Sequence, residues 1–520
     1  MMILITGDHW AVCLALMLVA VTVFHTFYQL LNIPQRRNFN PPTVFHILPF
    51  VGSAWKFGKN PTAFLLDCQR KYGNVFTFVI LGQKLTAVVG ALGNKFVTEM
   101  DSVTFNAEDI YGAFTAPVFG RDVAFDVPNE VWREKKRFLA SGLSPTNFRT
   151  FAKLIEDEVI EFIQENLLSA TLVKKIDNSE GSWSSVDAYY LISSLNILTS
   201  TRTLHGPEVR ESIRSGSKIV AHYDVLDSSL GPMSFIFPRL PLPQHRRRDF
   251  SQQQLSSFYL DIIQCRKQAD PKSGLTMPSD ETDLIASLLK QCYHDGTPLQ
   301  DHVIANLMIT LLMAGRHTSV ATGSWILIYL ANNPSIANDL YAEQINYFGQ
   351  PDGKFGSISY DDIRNLHLLN AVIRETLRLQ PPIHSISRMV RKDVTVPRDC
   401  GERKFIIPQG HVVTTSFGVS QLDQTIWSQL TKWNPHRWLS NKAEDTTIDI
   451  TDKNNVANAY LPSGGGGHRC IGEQYAIMQL SIIMSCLIRR FKFKVDYHTE
   501  RQTFTTVTRP SNSTVYFQQR

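Results

Sequence analysis

The chain has 520 residues, 43% hydrophobic and 10% aromatic, ample to bury a large core. Lysine and arginine total 52 against 47 acids, a net charge of +5 that suits an anionic membrane or an acidic partner and does not argue for nucleic acid. Seven scattered cysteines without a Cys-x-x-Cys pair exclude a disulfide framework or a zinc site and point to a reducing, cytosolic setting.

No linker, low-complexity run or internal repeat divides the chain. The first predicted element is the apolar run Trp10–Phe24, which with Tyr28, Leu30 and Leu31 approaches the roughly 20 residues a bilayer needs. Asp8 precedes it and Arg36 and Arg37 follow, which predicts a cytosolic C-terminal side. A cleaved signal peptide is the alternative, but the positive charges follow the run and no small-residue cleavage site is evident. Residues 1–32 are therefore expected to anchor the chain in a membrane. Pro34, Pro41 and Pro42 predict a stiff link over 33–50, leaving 51–520 as the globular body.

Next comes a long apolar helical pattern, Asp301–Leu330. Asn306, Arg316 and His317 in its middle favour a core helix over a second membrane span. Ala314 and Gly315 remove side-chain bulk, and Thr318 offers a hydroxyl for proton delivery; a packing glycine and a back-bonded threonine are the plainer reading. Glu375-Thr-Leu-Arg378 puts Glu375 and Arg378 on one helix face. Asn434-Pro-His-Arg437-Trp438 brings a second arginine, and a Glu375–Arg378–Arg437 cluster can lock a scaffold, because buried charges must be paired.

The segment Leu461-Pro-Ser-Gly-Gly-Gly-Gly-His-Arg-Cys470-Ile-Gly-Glu473 precedes an apolar helix over about 473–488. Glycines let backbone approach a flat macrocycle, and the helix N-terminus stabilises a thiolate. Cys470 can then bind haem iron axially. A phosphate loop is disfavoured, since no Gly-Lys-Ser/Thr follows.

The order Ala-Gly-x-x-Thr, Glu-x-x-Arg, Pro-x-Arg-Trp and Gly-x-His-x-Cys-x-Gly resembles the cytochrome P-450 superfamily. Within it, Phe45–Ser53, Tyr111–Gly120, Ala314–Ser319, Pro382–Ile386 and Pro435–Trp438 look like the fungal sterol 14α-demethylases. The resemblance implies a mainly α fold with small β-sheets, one large haem-thiolate domain behind an N-terminal transmembrane helix. It implies haem b on Cys470, with propionates held by Tyr111, Lys136, Arg388 and His468, and catalytic roles for Thr318 and His317. The substrate pocket would include Phe114, Phe119, Phe125, Ala314, His384 and Ser385.

The implied reaction is three oxidations of a sterol 14α-methyl group, which leaves as formate. Electrons come from NADPH by way of an NADPH-cytochrome reductase or a small haem electron carrier. Azoles are the implied inhibitors, and the endoplasmic reticulum membrane, with a cytosol-facing domain, the implied location.

The sequence departs from that pattern where Ser463 replaces Phe, Gly467 replaces Arg, Phe125 replaces Tyr, Arg316 replaces Gln, and Gln421-Leu422-Asp423 replaces His-Arg-Asp. These changes touch the site more than the scaffold. A haem-binding paralogue with low or altered turnover, a monooxygenase on another triterpenoid, and an oxygen-independent isomerase stay open beside the demethylase.

Overall fold

Polar capping residues begin several helices in the computed structural model, which describes residues 7–32, 39–168, 174–175, 183–231, 234–235, 237–268, 283–401, 403–439, 457–496, 501–502 and 507–520. Asn60 and Ser144 accept from the N–H groups of Ala63 and Asn147, each with proline in the first turn, and Asp187 accepts from Tyr190. Such caps satisfy donors that a helix start leaves unpaired.

Among the described residues, helices of eight residues or more are α1 (Gly7–Asn32), α2 (Pro61–Tyr72), α3 (Ala91–Glu99), α4 (Glu108–Phe119), α5 (Asn129–Gly142), α6 (Pro145–Phe162), α7 (Ala188–Ser200), α8 (Pro207–Arg214), α9 (Ile219–Ser228), α10 (Pro243–Gln268), α11 (Asp301–Asn332), α12 (Pro334–Phe348), α13 (His367–Leu379) and α14 (Glu473–Arg490). The strands of the two larger sheets are β1 (Val75–Ile80), β2 (Gln83–Val88), β3 (Phe105–Asn106), β4 (Lys174–Lys175), β5 (Ser184–Asp187), β6 (Ser385–Val390), β7 (Val412–Ser416), β8 (Phe491–Lys494) and β9 (Thr514–Gln519).

The chain divides into two compact units. The first comprises Met1–Ala107, His384–Asp423 and Asp452–Tyr460. Its sheet runs β1-β2-β7-β6-β3. The β1–β2 hairpin closes through Leu81 and Gly82, both at positive φ, as a two-residue turn matched to strand twist requires. Phe76, Phe78, Phe64 and Leu65 fill one apolar cluster, and Val75, Val88, Phe96 and Val413 another. The described part of the proline-containing stretch lies along β1: Thr77 N–H donates to Pro42 O and Val44 N–H to Thr77 O. Pro34, Arg36 and Arg37 lie outside the described residues. In α1 the apolar side chains Leu14, Leu16, Met17, Val23, Phe24 and Phe27 are exposed, and its apolar stretch spans Cys13–Gln29.

The second unit comprises Glu108–Ile383, Gln424–Thr451 and Leu461–Arg520. It holds α4–α14 and the sheet β8-β9-β5-β4. The 32-residue α11 runs through its core. Val303, Ile304, Leu307 and Met308 pack with Phe138 of α5, Leu226 of α9 and Leu255 of α10. Most of the α11 apolar window is buried, as expected of a core helix with polar residues inside it. Gly120, at φ +91°, fits against this helix because a Cβ there would lie 2.2 Å from the Asn306 side chain.

Candidate active site

Glu375 and Arg378 share one face of α13, and the structure brings Arg437 onto the same carboxylate. Arg378 donates to both Glu375 oxygens at 2.9 Å, and Arg437 Nε to Oε1 at 3.0 Å. Trp438 Nε1 donates to Oε2 at 3.0 Å. The spare guanidinium donors reach the carbonyls of Leu430 and Ser428. The three charged side chains are 0–1% exposed. Fully paired burial of this kind is stable, whereas removing one partner strands the others.

The glycine-rich loop folds back so that Cys470 N–H donates to Ser463 O at 2.9 Å. Gly464 and Gly466 take positive φ, 72° and 61°, which side chains resist. The Cys470 side chain is exposed to solvent. Burial pushes its thiol up and Glu473 adds to this, while the Gly472 N–H and the cations of Lys136 and Arg469 pull it down. Lys136, on α5, donates to the carbonyls of Gly467 and Arg469 at 3.1 and 2.9 Å. Burial lowers its own pKa, opposed by Cys470. Ile471 packs on the apolar cluster that includes α11.

Tyr111, Phe125 and His468 form a ring series with centroids 4.9 and 5.7 Å apart. Asn129 Nδ2 stands 3.5 Å from His468 Nε2. Phe125, expected both in the substrate pocket and in place of a tyrosine next to a propionate, sits between two of the residues expected at the propionates. The Phe114 ring meets Phe235 edge-on at 5.7 Å, and Phe119 lies against the α11 cluster.

Midway along α11, between buried Met313 and Ser319, the helix opens: Ala314 is exposed and a Cβ at Gly315 would meet nothing within 4 Å. The Thr318 hydroxyl donates to Ala314 O at 3.0 Å, leaving its lone pairs to accept. His317 Nε2 lies in contact with Asp227 Oδ1 of α9, although the approach lacks hydrogen-bond geometry and neither atom has another hydrogen-bond partner among the described residues. Arg316 reaches Asp224 of α9 at 2.7 Å and Ser193 of α7 at 3.3 Å. Asp224, Asp227 and Asn129 carry no signal in the sequence, because nothing local pairs them with residues far along the chain.

Three expected residues belong to the first unit. His384 Nδ1 is 2.8 Å from Ser385 Oγ, and its ring meets Phe57 edge-on. Arg388 is buried and donates to Ser387 O at 2.8 Å.

The second unit's residues fit a haem. They present a sulfur donor open on one side, space at Gly464, Gly467 and Gly472 where a Cβ would meet nothing, and a lysine cation alongside. Fold and site together define a haem-thiolate monooxygenase: the cytochrome P-450 family pattern matches residues 41–516, and the chain belongs to that family.

The chain is 40% identical to the lanosterol 14-alpha demethylase of Mycosarcoma maydis, over 88% of this chain and 84% of that one. It is 38% identical to the eburicol 14-alpha-demethylase of Uncinula necator (88% and 85% covered) and 37% to the lanosterol 14-alpha demethylase of Schizosaccharomyces pombe (93% and 92%). A solved cyanobacterial structure with retinoic acid bound shares the fold at TM-score 0.75, covering 92% of this chain and 99% of that one at 20% identity.

Proposed function

We infer that the chain is a sterol 14α-demethylase-like monooxygenase, removing the 14α-methyl group as formate in three oxidations. The observation that carries this reading is the 36–40% identity to sterol demethylases over most of the chain, joined to an open α11 stretch bearing His317 and Thr318. Haem b, when bound, supplies oxygen activation; each oxidation uses one dioxygen and two electrons from NADPH through a reductase, with a small haem carrier as a further electron donor.

In this reading Cys470 would supply the thiolate that holds the haem iron, and Lys136, Tyr111 and His468 of the second unit would hold its propionates. Thr318 accepts and passes a proton through its hydroxyl, and His317 with Asp227 holds that proton beside it. Glu375, Arg378 and Arg437 stiffen the scaffold. Phe114, Phe119 and Ala314 of the second unit offer an apolar lining suited to a rigid polycycle. Azoles are the expected inhibitors. The exposed apolar face of α1 supports a single-pass anchor over residues 1–32, with the catalytic body in the cytosol at the endoplasmic reticulum.

Purified protein, a reductase and NADPH should convert lanosterol or eburicol to its 14-desmethyl product with release of formate. Absence of both product and sterol-induced spectral change refutes the substrate class. Cys470→Ser should abolish the red-shifted Soret band of the reduced carbon monoxide complex; a surviving band refutes the ligand assignment.

A further inference from the structure

The same face of α9 meets α11 twice. Asp224 and Asp227 stand three residues apart, so both point the same way from the helix. Their partners, Arg316 and His317, are consecutive on α11 and lie directly before Thr318. The two contacts differ in kind. His317 meets the acid beside the open stretch, whereas Arg316 joins three helices: Nη2 reaches Asp224 of α9 at 2.7 Å and Nε reaches Ser193 of α7 at 3.3 Å.

We propose that Arg316 is a positioning residue that ties α9 to α11 and α7 and thereby keeps Asp227 on His317. The proposal rests on the reading that the open α11 stretch is the reaction site. A ten-residue helix is marginal alone and depends on what holds it. Buried Ile219, Tyr223 and Leu226 hold α9 at one side, and Tyr223 is pinned further by its hydroxyl, 2.9 Å from that of Tyr259. Apolar packing is non-directional and tolerates small slips. A charge-assisted bond is not, so the Arg316–Asp224 pair sets rotation and height of α9. With α9 displaced, Asp227 leaves His317 and proton supply at Thr318 falls. Electrons from NADPH then reduce dioxygen to hydrogen peroxide, with two electrons and two protons per molecule, in place of product. A glutamine at 316 can hydrogen-bond to Asp224 but brings no charge and a shorter reach.

The test uses the full-length holoprotein and the variants R316Q, D224N, D227N, R316Q/D227N and the charge swap R316D/D224R. Hydrogen exchange of the 219–228 peptide is read first, and it needs no turnover. It should quicken several-fold in both R316Q and D224N and slow again in the swap. With sterol and reductase present, R316Q should lower the share of NADPH electrons recovered in product several-fold. Sterol affinity should stay within about two-fold, with the carbon monoxide spectrum unchanged. Because Arg316 acts through Asp227, R316Q should add nothing to D227N; in double-mutant terms the pair is fully coupled.

Unchanged exchange in R316Q overturns the tether, as does an effect of R316Q that D224N does not share. Additive losses in R316Q/D227N overturn the route through Asp227. If the wild-type protein turns over no 14α-methyl sterol, the functional reading falls on its own, and the exchange measurement still decides whether Arg316 holds α9.

Discussion

The second unit contains two clusters built from the same parts. Around Glu375, a carboxylate and two arginines are sealed from water beside a half-buried tryptophan, and the guanidiniums find backbone carbonyls for their spare donors. Around α11, Arg316 and His317 meet two aspartates, but Asp224 is 57% exposed and Asp227 24%. Arg316 Nη1 is buried without a hydrogen-bond partner among the described residues. The first cluster has one arrangement that satisfies every charge, and losing it means losing the scaffold. The second holds its arginine mostly inside the protein but leaves its aspartates open to water, so it can fix α9 and still be reached by solvent. A proton-passing site of the kind proposed at Thr318 calls for the second kind of cluster, with the first as a rigid scaffold.

The sharpest way to break this contrast is Glu375→Ala. Two buried guanidiniums would lose their counter-charge, a cost of about 3–5 kcal/mol. The expected outcome is protein that does not retain haem, seen as loss of the Soret band on purification. Normal yield and spectrum would show that the buried cluster is no more structural than the open one.

Thr318→Ala acts on the open side and should leave the fold alone. Sterol binding should stay near wild type while hydrogen peroxide release rises and product per NADPH falls by roughly tenfold, about 1.4 kcal/mol in effective barrier. Unchanged coupling would remove Thr318 from proton delivery.

A third measurement tests the backing of α9. Tyr223 bonds Tyr259, whose hydroxyl is 2.8 Å from His205 Nδ1. Burial holds the His205 imidazole down at about 3 against its usual 6.5. Between those values the unfolded chain takes up a proton that the folded chain refuses. Stability from this group is therefore complete above about pH 6.5 and is lost progressively as pH falls toward 3. By pH 5 the loss is about 2 kcal/mol. His205→Gln should flatten the fall in urea midpoint between pH 7 and pH 5. An equally steep fall in the variant would assign the acid sensitivity elsewhere.

The smallest expected effect is at Phe125, between Tyr111 and His468. Phe125→Tyr adds a hydroxyl at the proposed propionate edge, worth about 1 kcal/mol if it is bonded. Azole affinity should tighten about fivefold in a titration followed by the Soret shift; no change would place Phe125 outside that edge.

Much of this molecule is readable in its sequence because the chemistry is local. Cys470 announces itself through glycines before it and a helix after it, and Glu375 and Arg378 share a face by helical spacing alone. The character of α11 follows from polar residues inside a long apolar run. Arg437 is readable too, since a buried acid with one arginine invites a second.

What the tertiary structure alone decided is how distant segments meet. Asp224 and Asp227 lie about ninety residues before Arg316 and His317, and no local period links them. Trp438 and Asn434 complete the Glu375 cluster only because the 424–439 loop folds against α13. Phe125 stands where the resemblance puts a tyrosine beside a propionate, and only the fold lays its ring between those of Tyr111 and His468. Backbone spacing specifies neighbours within one helix or one turn. Between helices the partner is chosen by packing of whole apolar faces, which the sequence encodes only collectively.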